Sequence, residues 1–433
     1  MNENSNIFLN KKILIYGIGK SGISAFNFLK RNNNVSLFDD NKKIRLKDLI
    51  KSKFISFDQV KKFKFDLIIL SPGININQCK LKNFLKKHSK IIYSDLDIFY
   101  SFYKNQCITI TGTNGKSTSC QLLYEVLKKS GFDVRLVGNI GYPVLSVKNI
   151  KKKSIFVIEA SSYQLDYSQL FTSKYAAILN ISPDHLERHK TLKKYIYAKF
   201  KLIQSQEKGS VAFINKHDKH LKNEVKKNKH KSKIIKVETN LRNKIIKSFQ
   251  NNYFSSVSNK ENLAFVLEIS KKLKVKKNKL VRAIKNFKGL KYRQQIIFEN
   301  KNILVINDSK STSYSSSIEM LKKSKNTYWL LGGIPKQGDK FNLSKKYYKN
   351  IKGFIFGKKY KKFSIDLRNK IKFKTFSNLK EALIRVLHDI KKDNSAKKII
   401  LLSPAAASFD SFKNFEDRGS YFNELIKKHL NVK

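Results

Sequence analysis

The sequence predicts an α/β protein of three units, each built on a largely parallel sheet. Three observations carry this. Strand-like and helix-like segments alternate along most of the 433 residues. The alternation restarts twice, which sets expected domains of 1–102, 103–295 and 296–433. The strand-like runs end in Gly, Ser, Asn or Asp, the residue types that line ligand crevices at the carboxyl ends of parallel strands.

In the first unit "KILIYG" reads as a strand, "SGISAFNFLKR" as a helix, and "NVSLFDD", "FDLIILSPG" and "KIIYSDL" as further strands. The second opens on the strand "CITITG" and continues through "SIFVIEASS", "YAAILNIS" and "GSVAFIN". The third opens near "NILVINDSKS" and adds "TYWLLGG", "IKGFIFG" and "KKIILLSPAAAS". The lysine-dense stretch from Lys216 to Lys247 has weak periodicity and reads as exposed loop and helix.

Composition excludes several classes. With 41% hydrophobic residues and 31 Phe, the chain can fill several cores, which argues against global disorder. The formal charge of +58 points to an anion binder, but lysine is spread over nearly every helix-like segment. Nucleic-acid binders gather charge on one element, so compositional bias is the reading preferred here. The opening "MNENSNIFLN" lacks the basic start and apolar stretch of a secretory leader, and no window has the length of a membrane span. Three cysteines, without metal-ligand spacing, fit a reducing cytosol.

Two Gly-rich turns stand out. Gly112-Thr113-Asn114-Gly115-Lys116-Ser117-Thr118 follows a strand and precedes the amphipathic "SCQLLYEVLKK". Backbone N–H groups of such a turn converge on phosphate oxygens at a helix N-terminus. Lys116 would neutralise the β- and γ-phosphates, and the Ser117 hydroxyl would reach Mg2+. Its glycines have two residues between them where the usual phosphate loop has four. The other turn, Gly17-Ile18-Gly19-Lys20-Ser21-Gly22, has Asp39 lying 22 residues after Gly17. Its physical demand is a diphosphate at a helix N-terminus, which NAD, FAD and UDP-sugars all meet, with Asp39 on a ribose hydroxyl. Ser71-Pro72-Gly73 ends another strand of that unit and could line the same crevice. Glu159 and His185 also fall at strand ends, where a carboxylate and an imidazole could hold a divalent metal or be merely structural.

With these residues in view, the chain resembles the Mur ligases of peptidoglycan synthesis, in their D-glutamate-adding branch, over essentially its whole length. The motifs are "GIGKSG", "SPGI", "TGTNGKST", "GNIG", "EASSYQL", "LNISPDHLERH", "YIYAK", "NKENLA", "GLKYR", "NDSKSTS", "LGG..K" and "LLSPAAASFDSFKNFEDRG". The resemblance implies a Rossmann-like N-terminal domain, a central P-loop-type ATP-binding domain and a Rossmann-like C-terminal domain. It also implies ATP-dependent amide bond formation between UDP-N-acetylmuramoyl-L-alanine and D-glutamate through an acyl-phosphate, with ATP and Mg2+ as cofactors. Gly19, Lys20, Ser21, Asp39, Ser71, Pro72 and Gly73 would hold the UDP end, with Asn139 and Ser161 orienting the substrate. ATP would meet residues 112–118, Asn259, Asn262, Arg293 and Asp308. Lys116, His185 and Lys199 would be catalytic, and Mg2+ would be held by Ser117, Glu159, His185 and Lys199. Lys199, read alone, is an ordinary solvated lysine; the resemblance implies that it is carbamylated into a carboxylate-like ligand. D-Glutamate would meet Lys310, Thr312, Lys336, Ser408, Phe409 and Phe415, on a third domain that closes over the site.

The chain departs from the family pattern at Ser256, Ser258, Lys291, Tyr292, Ser313, Ala406 and Phe409, none of them a metal ligand or the phosphate lysine. The rivals are a sister amide ligase or folylpolyglutamate synthetase, a nicotinamide-dependent oxidoreductase, which leaves "TGTNGKST" unexplained, and a charge-driven nucleic-acid binder. The expected partners are small molecules, without nucleic acid or membrane insertion, and the expected state is a cytoplasmic monomer.

Overall fold

The computed structural model describes residues 6–41, 52–323, 325–336, 338–395 and 397–430. The first five residues of the segment read for a leader lie outside these. The chain divides into two compact units, Met1–Phe287 and Lys288–Lys433. Among the described residues its strands form three sheets, two of them in the first unit.

The first sheet contains β1 (Lys12–Tyr16), β2 (Asn34–Phe38), β3 (Leu67–Leu70) and β4 (Ile92–Tyr93), in the order β2-β1-β3-β4 and all parallel. The second contains β5 (Cys107–Thr111), β6 (Val134–Gly138), β7 (Ile155–Glu159), β8 (Tyr175–Ile178), β9 (Val211–Asn215) and β10 (Lys233–Val237). Its order is β10-β9-β8-β5-β7-β6, again all parallel. Strands covered on both faces need continuous apolar runs, and "CITIT" and "IFVIE" are buried at every position. One apolar core joins the two sheets: Phe99 and Phe156 meet edge to face at 4.8 Å within it.

Two sequence readings change. In "KIIYSDL" only Ile92 and Tyr93 are strand; Ser94 then caps the helix Asp95–Phe102, exchanging hydrogen bonds with Asp97 in a capping box. The segment from Lys216 to Lys247 holds the helix Lys219–Lys227, the edge strand β10 and the helix Asn243–Ser248. Lysines at both ends of "KIIK" mask the half-buried Ile234 and Ile235 that make it a strand.

The second unit carries β11 (Gln295–Glu299), β12 (Ile303–Asn307), β13 (Thr327–Gly332), β14 (Ile351–Phe356), β15 (Lys372–Phe376) and β16 (Lys398–Leu402). The order is β11-β12-β16-β13-β14-β15, parallel except for the antiparallel edge β11. Among the described residues no helix is long and apolar enough to cross a membrane.

Candidate functional site

The turn after β5 leads into the helix Lys116–Lys129, with Gly115 as its N-cap at φ +82°. A Cβ on Gly115 would lie 2.0 Å from Asn262 Oδ1, so only glycine fits there. The turn is tied to the end of β8: the Asn114 N–H donates to Asn180 Oδ1 at 2.8 Å, and the Thr113 N–H to the Asn180 carbonyl at 2.9 Å. Lys116 folds back along the turn, its ammonium donating to the carbonyls of Gly112 and Thr113, both at 2.9 Å. Ser117 and Thr118 are buried in the first helical turn. Asn262 packs against the turn, while Asn259 donates from Nδ2 to the Tyr253 carbonyl at 2.8 Å; both are buried.

A cavity of about 320 Å³ opens beside this turn. Seven residues singled out from sequence line it: Pro72, Gly73, Lys116, Asn139, Ser161, His185 and Lys199. Ser162, Tyr163 and Tyr195 also line it, although sequence reasoning missed them. Asn139 is placed by its own N–H, which donates to the Glu159 carbonyl at 3.0 Å. Ser161 caps the helix Ser162–Tyr167 in a reciprocal pair with Gln164. His185 sits at φ +55°, with Nε2 3.3 Å from Asp184, Nδ1 3.5 Å from Glu187 and its ring edge-on to Tyr163.

Lys199 is 2% exposed, which the solvated-lysine reading did not anticipate. Its amine donates to the Gly112 carbonyl at 2.9 Å and to the Thr111 hydroxyl at 3.3 Å. Burial, and then the Lys116 cation, push its pKa well below the usual lysine range, against a smaller pull from Asp184 and Glu159. A lowered pKa makes the neutral, nucleophilic form of the amine easier to reach. Glu159 is 4% exposed, and its Oε2 has no hydrogen-bond partner. An orphaned buried carboxylate oxygen is costly unless a cation meets it, and a hard divalent ion suits oxygen donors. The described residues contain no group of three or more His, Cys, Asp or Glu able to hold a metal. The orphaned Glu159 Oε2 is a hard oxygen donor of the type Mg2+ takes, an ion that draws other ligands from substrate phosphates and water.

In the first sheet the glycine turn divides into structural and open positions. A Cβ on Gly22 would lie 2.0 Å from the Gly17 carbonyl, which also accepts the Ser71 hydroxyl at 2.5 Å. Gly19 and Gly73 face open space, and Lys20 is exposed. Asp39 accepts the Ile18 N–H at 2.7 Å and the Asn41 N–H at 2.9 Å, so its carboxylate shapes the turn. Arg188, within "DHLERH", has a structural part that its sequence position does not reveal. Its guanidinium donates to the carbonyls of Pro72 (2.6 Å) and Ile74 (2.7 Å) and to the Tyr167 hydroxyl (2.6 Å), and it stacks on Tyr163 at 3.8 Å. That fork fastens the Ser71–Gly73 turn to the second sheet.

In the second unit the singled-out residues gather at the carboxyl ends of its own strands. Asp308, after β12, accepts the Gln294 N–H and the Ser403 hydroxyl, both at 3.1 Å. Arg293 and Thr312 are half-buried. Lys310 lies 5.2 Å from the Phe415 ring centre, Lys336 is exposed, Ser408 is buried and Phe409 is 70% exposed. The unforeseen residue is Arg418, fully buried. It donates to the Ser309 hydroxyl (3.1 Å) and carbonyl (2.8 Å), the Gly332 carbonyl (3.3 Å) and the Ala406 carbonyl (3.0 Å). One guanidinium thus ties the loops after β12, β13 and β16. Burial pulls its pKa down to about 10.

Residues 110–280 match the model of the Mur ligase middle domain, and residues 11–93 that of the Mur ligase MurD-like N-terminal domain. A relative from Rickettsia felis, named UDP-N-acetylmuramoylalanine--D-glutamate ligase, is 34% identical over 98% of both chains. One of the same name from Buchnera aphidicola subsp. Schizaphis graminum is 37% identical over 97% of this chain and 99% of the relative. Among solved structures, the MurF ligase of Thermotoga maritima in complex with ADP is similar in fold, with a TM-score of 0.55, 14% identity, and coverage of 100% of this chain and 99% of that one.

Proposed function

Because the chain belongs to the Mur ligase family, we propose that it joins D-glutamate to UDP-N-acetylmuramoyl-L-alanine at the expense of ATP, in peptidoglycan precursor synthesis. The domains would be a Rossmann-like 1–102, a P-loop-type 103–295 and a Rossmann-like 296–433. The observation that carries this reading is the shared cavity. Lys116 of the phosphate turn and Lys199 line the same space as Asn139, Ser161 and the Pro72–Gly73 turn that faces the substrate side.

The alanyl carboxylate is inert toward an amine until it gains a leaving group. Its oxygen attacks the γ-phosphorus, the bond to ADP breaks, and an acyl-phosphate forms. The D-glutamate amine then attacks the acyl carbon, loses a proton, and inorganic phosphate leaves. Lys116 exchanges its two loop carbonyls for the transferring phosphoryl group, which is electrostatic and positional work. The convergent N–H groups of the turn hold the neighbouring phosphates. Asn139 and Ser161 hold the acceptor end in line, and Arg188 keeps the Pro72–Gly73 wall fixed while they do so. Mg2+, when bound, would neutralise phosphate charge; Glu159 would hold it, with Ser117, His185 and a carbamylated Lys199. Carbamylation would require the neutral amine that the burial of Lys199 favours.

The test is ADP release with UDP-N-acetylmuramoyl-L-alanine, Mg-ATP and each candidate amino acid in turn. D-Glutamate is the expected acceptor, and Lys116→Ala is expected to abolish turnover. Turnover with L-lysine or meso-diaminopimelate but not with D-glutamate would overturn the assignment.

A further inference from the structure

The second chemical step passes through a tetrahedral species. When the D-glutamate amine adds to the acyl carbon, the carbonyl π pair moves onto the acyl oxygen and charges it. A donor already aimed at that oxygen lowers the barrier. It must line the cavity and carry a hydrogen that no protein acceptor uses.

Ser162 meets both conditions. It opens the helix Ser162–Tyr167, lines the cavity beside Ser161 and Tyr163, and is 3% exposed. Among the described residues its hydroxyl has one hydrogen-bond partner, His189 Nε2 at 3.0 Å. His189 ends the helix Leu186–His189 and is 4% exposed. Its ring packs against two aromatic residues of the cavity wall, Tyr163 at 5.7 Å and Tyr195, edge-on, at 5.4 Å. The Tyr195 hydroxyl is itself fixed 3.0 Å from Thr113 Oγ1 in the phosphate turn. The imidazole therefore has little freedom to turn.

The direction of the Ser162–His189 hydrogen bond follows from counting hydrogens. A neutral imidazole has one N–H and one lone pair on its two nitrogens. Among the described residues Nε2 has a partner and Nδ1 has none. A buried N–H without an acceptor is rarer than a lone pair without a donor, which puts the hydrogen on Nε2. A protonated ring donates from Nε2 as well, so the direction does not depend on its charge. Ser162 thus accepts from His189 and keeps its own single hydrogen for what enters the cavity.

We propose that Ser162 is a catalytic donor to the acyl oxygen of the reacting alanyl group, and that His189 is the positioning residue that leaves its hydrogen free for the cavity. The bond from Nε2–H polarises the hydroxyl it points to, which strengthens the next bond in the chain. That next bond is strongest when the acyl oxygen is an oxyanion, so it contributes to the chemical step more than to binding. When phosphate leaves, the electron pair returns to the C=O bond, and Ser162 keeps its proton throughout.

This rests on the function proposed above, and the experiment separates the two. Both kcat and the KM values for UDP-N-acetylmuramoyl-L-alanine, ATP and D-glutamate are measured for the wild-type chain, Ser162→Ala, His189→Gln, His189→Asn and the double variant Ser162→Ala/His189→Asn. The amide of glutamine reaches the place of Nε2, whereas that of asparagine stops near Nδ1. Ser162→Ala is expected to lower kcat about a hundredfold, the worth of one oxyanion donor, with the KM values unmoved. His189→Asn should lower kcat in the same way, and His189→Gln should restore most of it. In the double variant the asparagine should add less than about twofold to the loss, because residues that act as a unit are not additive. An analogue with a phosphinate in place of the acyl carbon carries a tetrahedral anionic oxygen. Its Ki should rise in Ser162→Ala by about the factor that kcat falls. Ser162→Ala removes one oxygen atom, so the test stays readable if a His189 variant fails to fold. Wild-type kcat in Ser162→Ala, a loss confined to KM, or glutamine as damaging as asparagine overturns the proposal and leaves the functional reading standing. A wild-type chain that does not turn over this substrate with D-glutamate overturns the functional reading and this proposal with it.

Discussion

Gly115→Ala tests whether the phosphate turn and the helix Val257–Lys272 are shaped against each other. The new Cβ would stand 2.0 Å from Asn262 Oδ1, 2.9 Å from its Cγ and 3.2 Å from its Nδ2, where ordinary contact begins at 3.4 Å. Asn262 is 4% exposed, so its carboxamide cannot swing clear into solvent. The left-handed φ of +82° costs an L-residue about 1–2 kcal/mol, and forcing the overlap apart costs about 1–3 kcal/mol more. A total of about 2–5 kcal/mol is expected. Unfolding of a multi-domain chain gives no single free energy, so the readout is hydrogen-exchange protection of the helix Lys116–Lys129, which begins at this turn. Asn262→Ala removes all three clashing atoms. In the double variant only the backbone part should remain, giving a favourable coupling of about 1–3 kcal/mol in the cycle. Additivity within about 0.5 kcal/mol would refute the steric account. It would mean that the turn relaxes freely and that Gly115 is needed for φ alone.

Two further outcomes follow from buried basic side chains. The native amine of Lys199 binds a proton less readily than in the unfolded chain, because burial and Lys116 lower its pKa. The unfolded state therefore holds more protons, and stability rises with pH from the lowered native value up to about 10.4, the unfolded lysine value. In CO2-depleted buffer Lys199→Met should flatten that slope and raise the hydrogen-exchange protection of the helix Leu192–Gln204 at neutral pH, while ADP release is lost; lowered protection in the Met variant would contradict this. Arg418→Lys keeps a charge but cannot bridge three loops. It should lower the unfolding temperature of the second unit and raise the D-glutamate KM, and a wild-type melt with an unchanged KM would show that the loops hold their places without it.

Local features were the legible ones. A Gly-rich turn between a β-branched strand and an amphipathic helix is written in consecutive residues, so Lys116, Ser117 and the Gly17–Gly22 turn could be placed by pattern alone. The same holds for strand-end positions such as Glu159 and His185, because a parallel sheet puts its ligand edge at one end of every strand. Burial of a charge was not legible, since it depends on what packs from elsewhere. Lys199, Arg188 and Arg418 look like three of the 90 Lys and Arg residues in the chain. Only the fold shows them inside it, serving carbonyls of loops far off in sequence. Composition also hid strands, as in "KIIKV", where lysine interrupts an apolar run at an exposed edge.

"SDLD" shows the limit most clearly. Ser94 three residues before Asp97 is a helix-start pattern, available to sequence reasoning but overridden by the apolar "KIIY" before it. The chemistry of its two aspartates was available to no local rule. They share a helix and a residue type and are both buried, yet one receives six donors and the other the side-chain amide of Gln164. The difference comes from the loop Ser168–Phe171, which turns its N–H groups toward Asp97 and leaves Asp95 to Gln164. What a buried carboxyl group meets inside a protein belongs to its neighbours, and the neighbours here lie about seventy residues away in the chain as well as on the same helix.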